Sequence, residues 1–294
     1  MQTIGPSRRL VLRSAAIAAA ALAVSPRAWG EPMPSPTHTV SHPDPWQGLH
    51  IGIASYSLQR MPVDACIKAI QKIGVSYVSI KDFHLPLKSS MEQRKEVAKK
   101  FRDGGITPLS CGVINMKNSD ADVKNAFEYA KACEIPTIVC SPDPEAIPLL
   151  DKYVKEYDIK CAIHNHGPSD KKYPSPYDAF KLIEKLDKRV GLCVDVGHTA
   201  RTNTDPAKAI LDLRERVYDI HLKDLDSSKP DGKAIEVGRG VLDIRGILAA
   251  LREIHFEGHV GLEYEKDLKS DPLPGIAESI GYVRGILAPA PASA

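Results

Sequence analysis

The chain has 294 residues, with 39 basic against 37 acidic side chains and a formal net charge of +2. So even a balance gives no basic surface to hold nucleic acid, and no segment after residue 30 has the run of about 20 apolar residues that a membrane span needs. The length suits one large α/β domain or two small ones.

The first predicted element is a targeting segment. Ser7-Arg8-Arg9-Leu10-Val11-Leu12-Arg13 is a twin-arginine pattern, an alanine-rich apolar run follows from Ala15 to Val24, and Ala28-Trp29-Gly30 closes it with small residues at the positions a signal peptidase reads. Residues 1–30 are therefore expected to be a cleaved signal, placing the mature protein in the periplasm or outside the cell. Without the four arginines of that segment, 35 basic and 37 acidic residues remain, a net −2. Residues 31–46, rich in proline, serine and histidine, read as an extended leader, and residues 47–290 as a single catalytic domain. The six cysteines form no C-x-x-C pair. Twin-arginine export carries folded proteins, so mostly free, buried thiols are expected despite the oxidising destination.

From residue 50 onward short β-branched runs alternate with helical segments. The strands are expected at 51–55, 77–81, 106–112, 136–140, 159–164, 190–195, 217–223 and 259–263. Between them helices are expected at 62–73, 89–103, 120–133, 144–157, 176–186, 205–213 and 243–254, with a last one at about 274–287. Several open on a proline or a capping residue, and Gly104-Gly105 stops the second. Strands that are apolar nearly throughout suit a parallel sheet buried on both faces. Eight strand–helix units at this length predict a (β/α)8 TIM barrel. The main rival, an open doubly wound sheet, wants a phosphate-binding glycine turn after the first strand, and Ala54-Ser55-Tyr56-Ser57 is not one.

In such a barrel the active site lies where strands run into the loops that follow them. Polar residues fall at those places: Lys81 and His84 after the second strand, His164-Asn165-His166 after the fifth, Asp195 and His198 at the sixth, His221 and Lys223 at the seventh, Glu263 and Glu265 at the eighth. Each alone has a plainer reading as a cap, a turn residue or a solvated charge. Together, four successive strands each deliver one good ligand to one rim, and neighbouring strands lie about 4.8 Å apart. Imidazole with carboxylate suits manganese, zinc, cobalt or iron(II) better than calcium.

Asp195-Val196-Gly197-His198, His221-Leu222-Lys223-Asp224, Gly238-Arg239-Gly240-Val241-Leu242-Asp243 and Gly258-His259-Val260-Gly261-Leu262-Glu263, in this order and on these strands, resemble the xylose isomerase-like barrels. That family contains sugar isomerases, 3-epimerases, inosose dehydratases and an AP-endonuclease branch. The resemblance implies one divalent metal ion held by Glu, Asp, His and Glu from successive strands. The last three carry over onto Asp195, His221 and Glu263. The first falls at His164, where the family usually has glutamate, so CAIHNHG departs from the pattern at a ligand; His166 is the alternative ligand if the loop bends. His198 resembles the residue that touches the sugar oxygen beside the reacting carbon. Arg239 and His84 are further candidates for contact with substrate, and Glu263, His166 and Lys81 for proton transfer. The AP-endonuclease branch needs ligands that this chain lacks, which argues against DNA as a partner.

The chemistry that the resemblance implies is polarisation of a carbonyl and removal of a proton beside it, giving an enediolate. The expected activity is isomerisation or epimerisation of an unphosphorylated sugar or keto-sugar, since phosphorylated sugars stay in the cytoplasm. Two alternatives stand: a lyase that expels the C1 substituent of a 3-keto-glycoside, and a sugar-binding barrel without chemistry. The sequence is silent on oligomeric state.

Overall fold

The eighth expected strand closes against the first. A computed structural model describes residues 44–266 and 268–288; the expected signal, most of the leader and the end of the C-terminal tail lie outside the described residues. The strands are β1 (His50–Ala54), β2 (Tyr77–Ile80), β3 (Thr107–Met116), β4 (Thr137–Pro142), β5 (Lys160–His164), β6 (Val190–Asp195), β7 (Val217–Leu222), β8 (Asp224–Leu225), β9 (Ala234–Ile235) and β10 (His259–Leu262). Eight of them form a closed parallel barrel in the order β1-β10-β7-β6-β5-β4-β3-β2, and β8 and β9 make a separate antiparallel ribbon. The fold is thus the expected (β/α)8 barrel. The ribbon was not expected from the sequence, because two-residue strands carry no periodic signal.

The helices are α1 (Val63–Ile73), α2 (Met91–Asp103), α3 (Asp120–Cys133), α4 (Ile147–Tyr157), α5 (Pro176–Ile183), α6 (Val196–Arg201), α7 (Pro206–Asp212), α8 (Ile244–Glu253) and α9 (Leu273–Leu287). Their starts follow side-chain chemistry. Ser90 and Gln93 form a reciprocal capping box on α2, and Ser119, Ser175, Asp205 and Asp243 accept from first-turn amides of α3, α5, α7 and α8. The expected helix at 144–157 is split, with a 3-10 turn at Pro144–Ala146 before α4.

Two expected boundaries move. The third strand runs on to Met116, because its register against β4 shifts between Cys111 and Ile114 and pairing then resumes. Trp46, assigned to the extended leader, is buried, and the Arg284 guanidinium lies 4.9 Å from its ring centre. The end of that leader is therefore part of the folded body: an indole and a cation find each other at no cost in core volume.

Helices and the outer faces of the strands enclose one large apolar core, while Val139, Ala162 and Cys193 form a small apolar cluster of their own. The barrel also buries polar side chains: Ser79, Ser110, Asp219, His221 and His259 are each at most 1% exposed. All six cysteines are free and buried, as expected. Among the described residues no helix is long and apolar enough to cross a membrane.

Candidate functional site

The carboxyl ends of β5, β6, β7 and β10 place His164, Asp195, His221 and Glu263 side by side. In register, Asp195 sits opposite His221 and His164 opposite Cys193, and the Glu263 amide donates to the Leu222 carbonyl at 2.9 Å. His164 Nε2 lies 3.4 Å from Asp195 Oδ2. His221 Nδ1 lies 3.9 Å from the same oxygen and 3.2 Å from Glu263 Oε2. One ligand atom from each of the four residues falls within 4.8 Å of the others.

Local chemistry aims these atoms. Asp195 caps the short helix α6: its Oδ1 accepts from the His198 amide at 2.8 Å, which turns Oδ2 toward the imidazoles. Asn165 holds the same residue from the other side. Its Oδ1 accepts from the Asp195 amide at 3.0 Å, and its Nδ2 donates to Thr199 Oγ1 at 3.1 Å. Thr199 in turn donates to the Asp195 carbonyl at 2.7 Å.

A divalent cation fits this cluster. His164 Nε2 and His221 Nδ1 are wholly enclosed with no hydrogen bond to satisfy them, and Asp195 Oδ2, enclosed beside them, meets the Lys223 ammonium at 3.0 Å. Buried polar atoms are almost always satisfied, so two converging imidazole nitrogens without a partner, beside a buried carboxylate oxygen, suit a ligand site. Burial pushes the His221 imidazole down to about 4, which keeps it neutral and able to donate a lone pair. Burial alone would raise the Asp195 carboxyl, but Lys223, His198 and His164 outweigh it and hold it well below the usual range.

Two lysines clamp Glu263. Lys81 Nζ sits 3.2 Å from Oε1 and 3.3 Å from His221 Nε2, while Lys223 Nζ sits 3.0 Å from Oε2. Lys223 also reaches Asp195 Oδ2 at 3.0 Å and Glu265 Oε2 at 3.1 Å. Burial would raise the Glu263 carboxyl; contact with His221, Lys223 and Lys81 reverses that and holds it well below its ordinary value. With both oxygens engaged, Glu263 is an anchored anion rather than a ready proton acceptor.

A cavity of about 490 Å³ opens over the cluster, its wall including Tyr56, Lys81, Phe83, His164, His166 and Glu263. His166 is exposed and its ring lies 4.3 Å from that of His198 and 5.7 Å from that of His164. Gly167 makes that packing feasible: its φ is +84°, and a Cβ there would stand 2.9 Å from His198 Nδ1. A second cavity of about 270 Å³ adjoins, sharing Asp82, Gly112, Val113 and Asn115 with the first.

Three residues expected to touch substrate do not wall the main cavity. Arg239 is exposed and makes a two-pronged ion pair with Glu278, because the turn that carries it faces α9 rather than the barrel mouth. His84 is buried and its Nδ1 contacts Ser55 Oγ at 3.0 Å; it lines a separate surface hollow against α2. His198 stands one layer back, its ring against His166 and its Nδ1 3.0 Å from Arg201 Nη1, and burial lowers it to about 3.

Three side chains around the cluster were given no role by the sequence reading. Asn165 is the clamp on Asp195. Lys223, noted there only as a polar residue at the seventh strand, contacts three carboxylates. Asp219 lies below the cluster, with Oδ1 4.0 Å from His221 Nε2 and Oδ2 3.7 Å from His259 Nδ1. A signal existed for two of these: Asp219, His221 and Lys223 alternate at a period of two, which puts all three on one face of a strand.

The family model described as the xylose isomerase-like TIM barrel matches residues 67–286. An inosose dehydratase from Lacticaseibacillus casei is 24% identical over 139 residues, 42% of this chain and 46% of that protein. The alignment therefore spans about half the length of this curated relative. Among solved structures, the IOLI protein with a bound zinc atom superposes with a TM-score of 0.68 at 17% identity, covering 81% of this chain and 98% of that one. The probable 3-DHS dehydratase AsbF of Bacillus anthracis superposes with a TM-score of 0.65 at 9% identity, covering 80% and 98%.

Proposed function

Since the chain belongs to the xylose isomerase-like TIM barrel family, we propose that it is a metal-dependent carbon–oxygen lyase that acts on an unphosphorylated keto-sugar or 3-keto-glycoside. The observation that carries this reading is the convergence of two unsatisfied buried imidazole nitrogens, His164 Nε2 and His221 Nδ1, on Asp195 Oδ2 and Glu263 below an open cavity. His164, Asp195, His221 and Glu263 would hold the ion; manganese, zinc, cobalt and iron(II) all suit this donor set, and a neighbour of the same fold carries zinc. When bound, a divalent cation supplies Lewis-acid polarisation of a substrate carbonyl.

The choice of elimination over epimerisation rests on the proton carriers. A two-base epimerisation wants a free base on each face of the reacting carbon. Here position 164 is an imidazole whose lone pair serves the metal, and Glu263 is pinned by Lys81 and Lys223. His166 is the exposed base in the cavity wall. Its imidazole removes the proton beside the ketone. The electron pair left behind becomes a carbon–carbon double bond as the β-oxygen departs with its bonding pair, and the same imidazole returns the proton to that oxygen. Lys81 holds Glu263 in place, and Tyr56 and Phe83, rings 5.8 Å apart, line one side of the cavity. The dehydratase names among the relatives support the same class.

The cavity wall supports an unphosphorylated substrate. Among the described residues no arginine lines it, and its two lysines, Lys81 and Lys172, are ion-paired to Glu263 and Asp143. Export by the twin-arginine route, to the periplasm or outside, agrees; cell fractionation checks it.

Isomerisation or epimerisation is the second reading, with Lys81 as the proton carrier that faces the same cavity. To separate them, the metal-loaded protein is incubated with 3-keto-glycosides and with free ketoses. Release of the C1 substituent, lost in His166→Ala while the metal stays bound, supports the lyase. Turnover of free ketoses alone overturns it in favour of the isomerase. Stoichiometric metal with no turnover of either would make the chain a sugar-binding barrel.

A further inference from the structure

Lys223 is among the largest fully buried side chains in the molecule, at 1% exposure. A buried ammonium persists only when anions surround it, and Lys223 has three, at 3.0, 3.0 and 3.1 Å: Asp195 Oδ2, Glu263 Oε2 and Glu265 Oε2. The first two oxygens are the ones that face the imidazoles, 3.4 Å from His164 Nε2 and 3.2 Å from His221 Nδ1. The third belongs to a residue outside the four-ligand set, at the cavity wall, with its side chain 28% exposed.

The seat is built for the lysine stem. Gly197, in the first turn of α6, lies under it: a Cβ at that position would stand 2.6 Å from Lys223 Cγ and 2.7 Å from Cδ. No side chain larger than hydrogen leaves room for Lys223 to reach the carboxylates.

We propose that Lys223 is an internal cation that assembles Asp195 and Glu263 in the metal-free site and opposes the divalent ion for those two oxygens, with Glu265 as the anchor to which its ammonium withdraws when the ion enters. This rests on the four-ligand reading above and adds a determinant of metal occupancy. Two like charges near one pair of oxygens repel steeply at this range, so the lysine sets how tightly the ion is held. Removing Lys223 frees both oxygens and strengthens binding. Removing the charge of Glu265 leaves the ammonium nowhere else to go and weakens it. Opposite signs from two neighbouring substitutions are a signature that simple loss of packing does not produce.

The test is titration of the full chain, stripped with chelator, with zinc(II) or manganese(II) chloride in competition with a chromophoric chelator. Lys223→Met is expected to bind about tenfold tighter or more, and Glu265→Gln several-fold weaker, than the unsubstituted protein. If Lys223→Met does not fold, Glu265→Gln alone decides: equal or tighter binding overturns the proposal. Weaker binding by both variants also overturns it, and makes Lys223 an orienting group of the ligands. If the unsubstituted protein and both variants all bind no ion, the four-ligand reading itself falls, and this proposal with it.

Discussion

Asn165→Leu is the substitution that most directly tests how the site is held together. Asn165 is fully buried, accepts from the Asp195 amide at 3.0 Å and donates to Thr199 at 3.1 Å. Leucine has about the same size and makes neither bond. The Asp195 amide is then left buried without an acceptor, costing about 1–3 kcal/mol, and the bond to Thr199 is worth about 1 kcal/mol more. The expected loss is therefore about 2–4 kcal/mol. For a domain of this size that lowers Tm by roughly 4–8 °C. Ligand geometry suffers as well, because Asp195 is gripped through its own amide; metal affinity is expected to fall about 10–100-fold, as for other groups that orient a ligand. Thermal unfolding of the chelated protein reads the first effect and metal titration the second. Thr199→Val keeps the Asn165–Asp195 bond but breaks both bonds of the Thr199 hydroxyl, to Asn165 Nδ2 and the Asp195 carbonyl; it should also cost about 2–3 kcal/mol and is the control for metal affinity, which it should lower less than Asn165→Leu does. An Asn165→Leu protein that melts within about 2 °C of the parent would refute the bridging role.

Stability of the metal-free protein should fall with acidification from near neutrality. His198 and His221 are lowered to about 3 and about 4, so the unfolded chain binds more protons than the folded one below the ordinary histidine value. Each contributes up to about 1.4 kcal/mol per pH unit between about pH 6.5 and its folded value, read as a falling urea midpoint from pH 7 to 5.5; an unchanged midpoint contradicts it. Below pH 4 the depressed carboxyls of Asp195 and Glu263 add further loss. A thiol reagent should label none of the six cysteines in the native protein and all six in denaturant, since every one is free and buried. Arg239→Ala should change turnover and stability little, because it removes only an exposed ion pair with Glu278; a large rise in KM would return Arg239 to the substrate site.

The alternation of short apolar strands with capped helices determined the barrel from sequence alone, because strand period, caps and glycine stops act over a few residues. The same local rule put His164, Asp195, His221 and Glu263 at strand ends, and the family motifs around three of them named the chemistry to look for. Contacts between residues far apart in the chain were not legible. Whether Lys223 leans on Asp195, whether Asn165 grips the Asp195 amide, and whether Arg239 turns to the mouth or to Glu278 depend on strand register and loop path. The closed sheet decides those, since a shift of one residue in pairing moves a side chain to the opposite face. So the sequence determined which groups are available at the rim; only tertiary packing decided which of their atoms are left unsatisfied, and hence where an ion would sit.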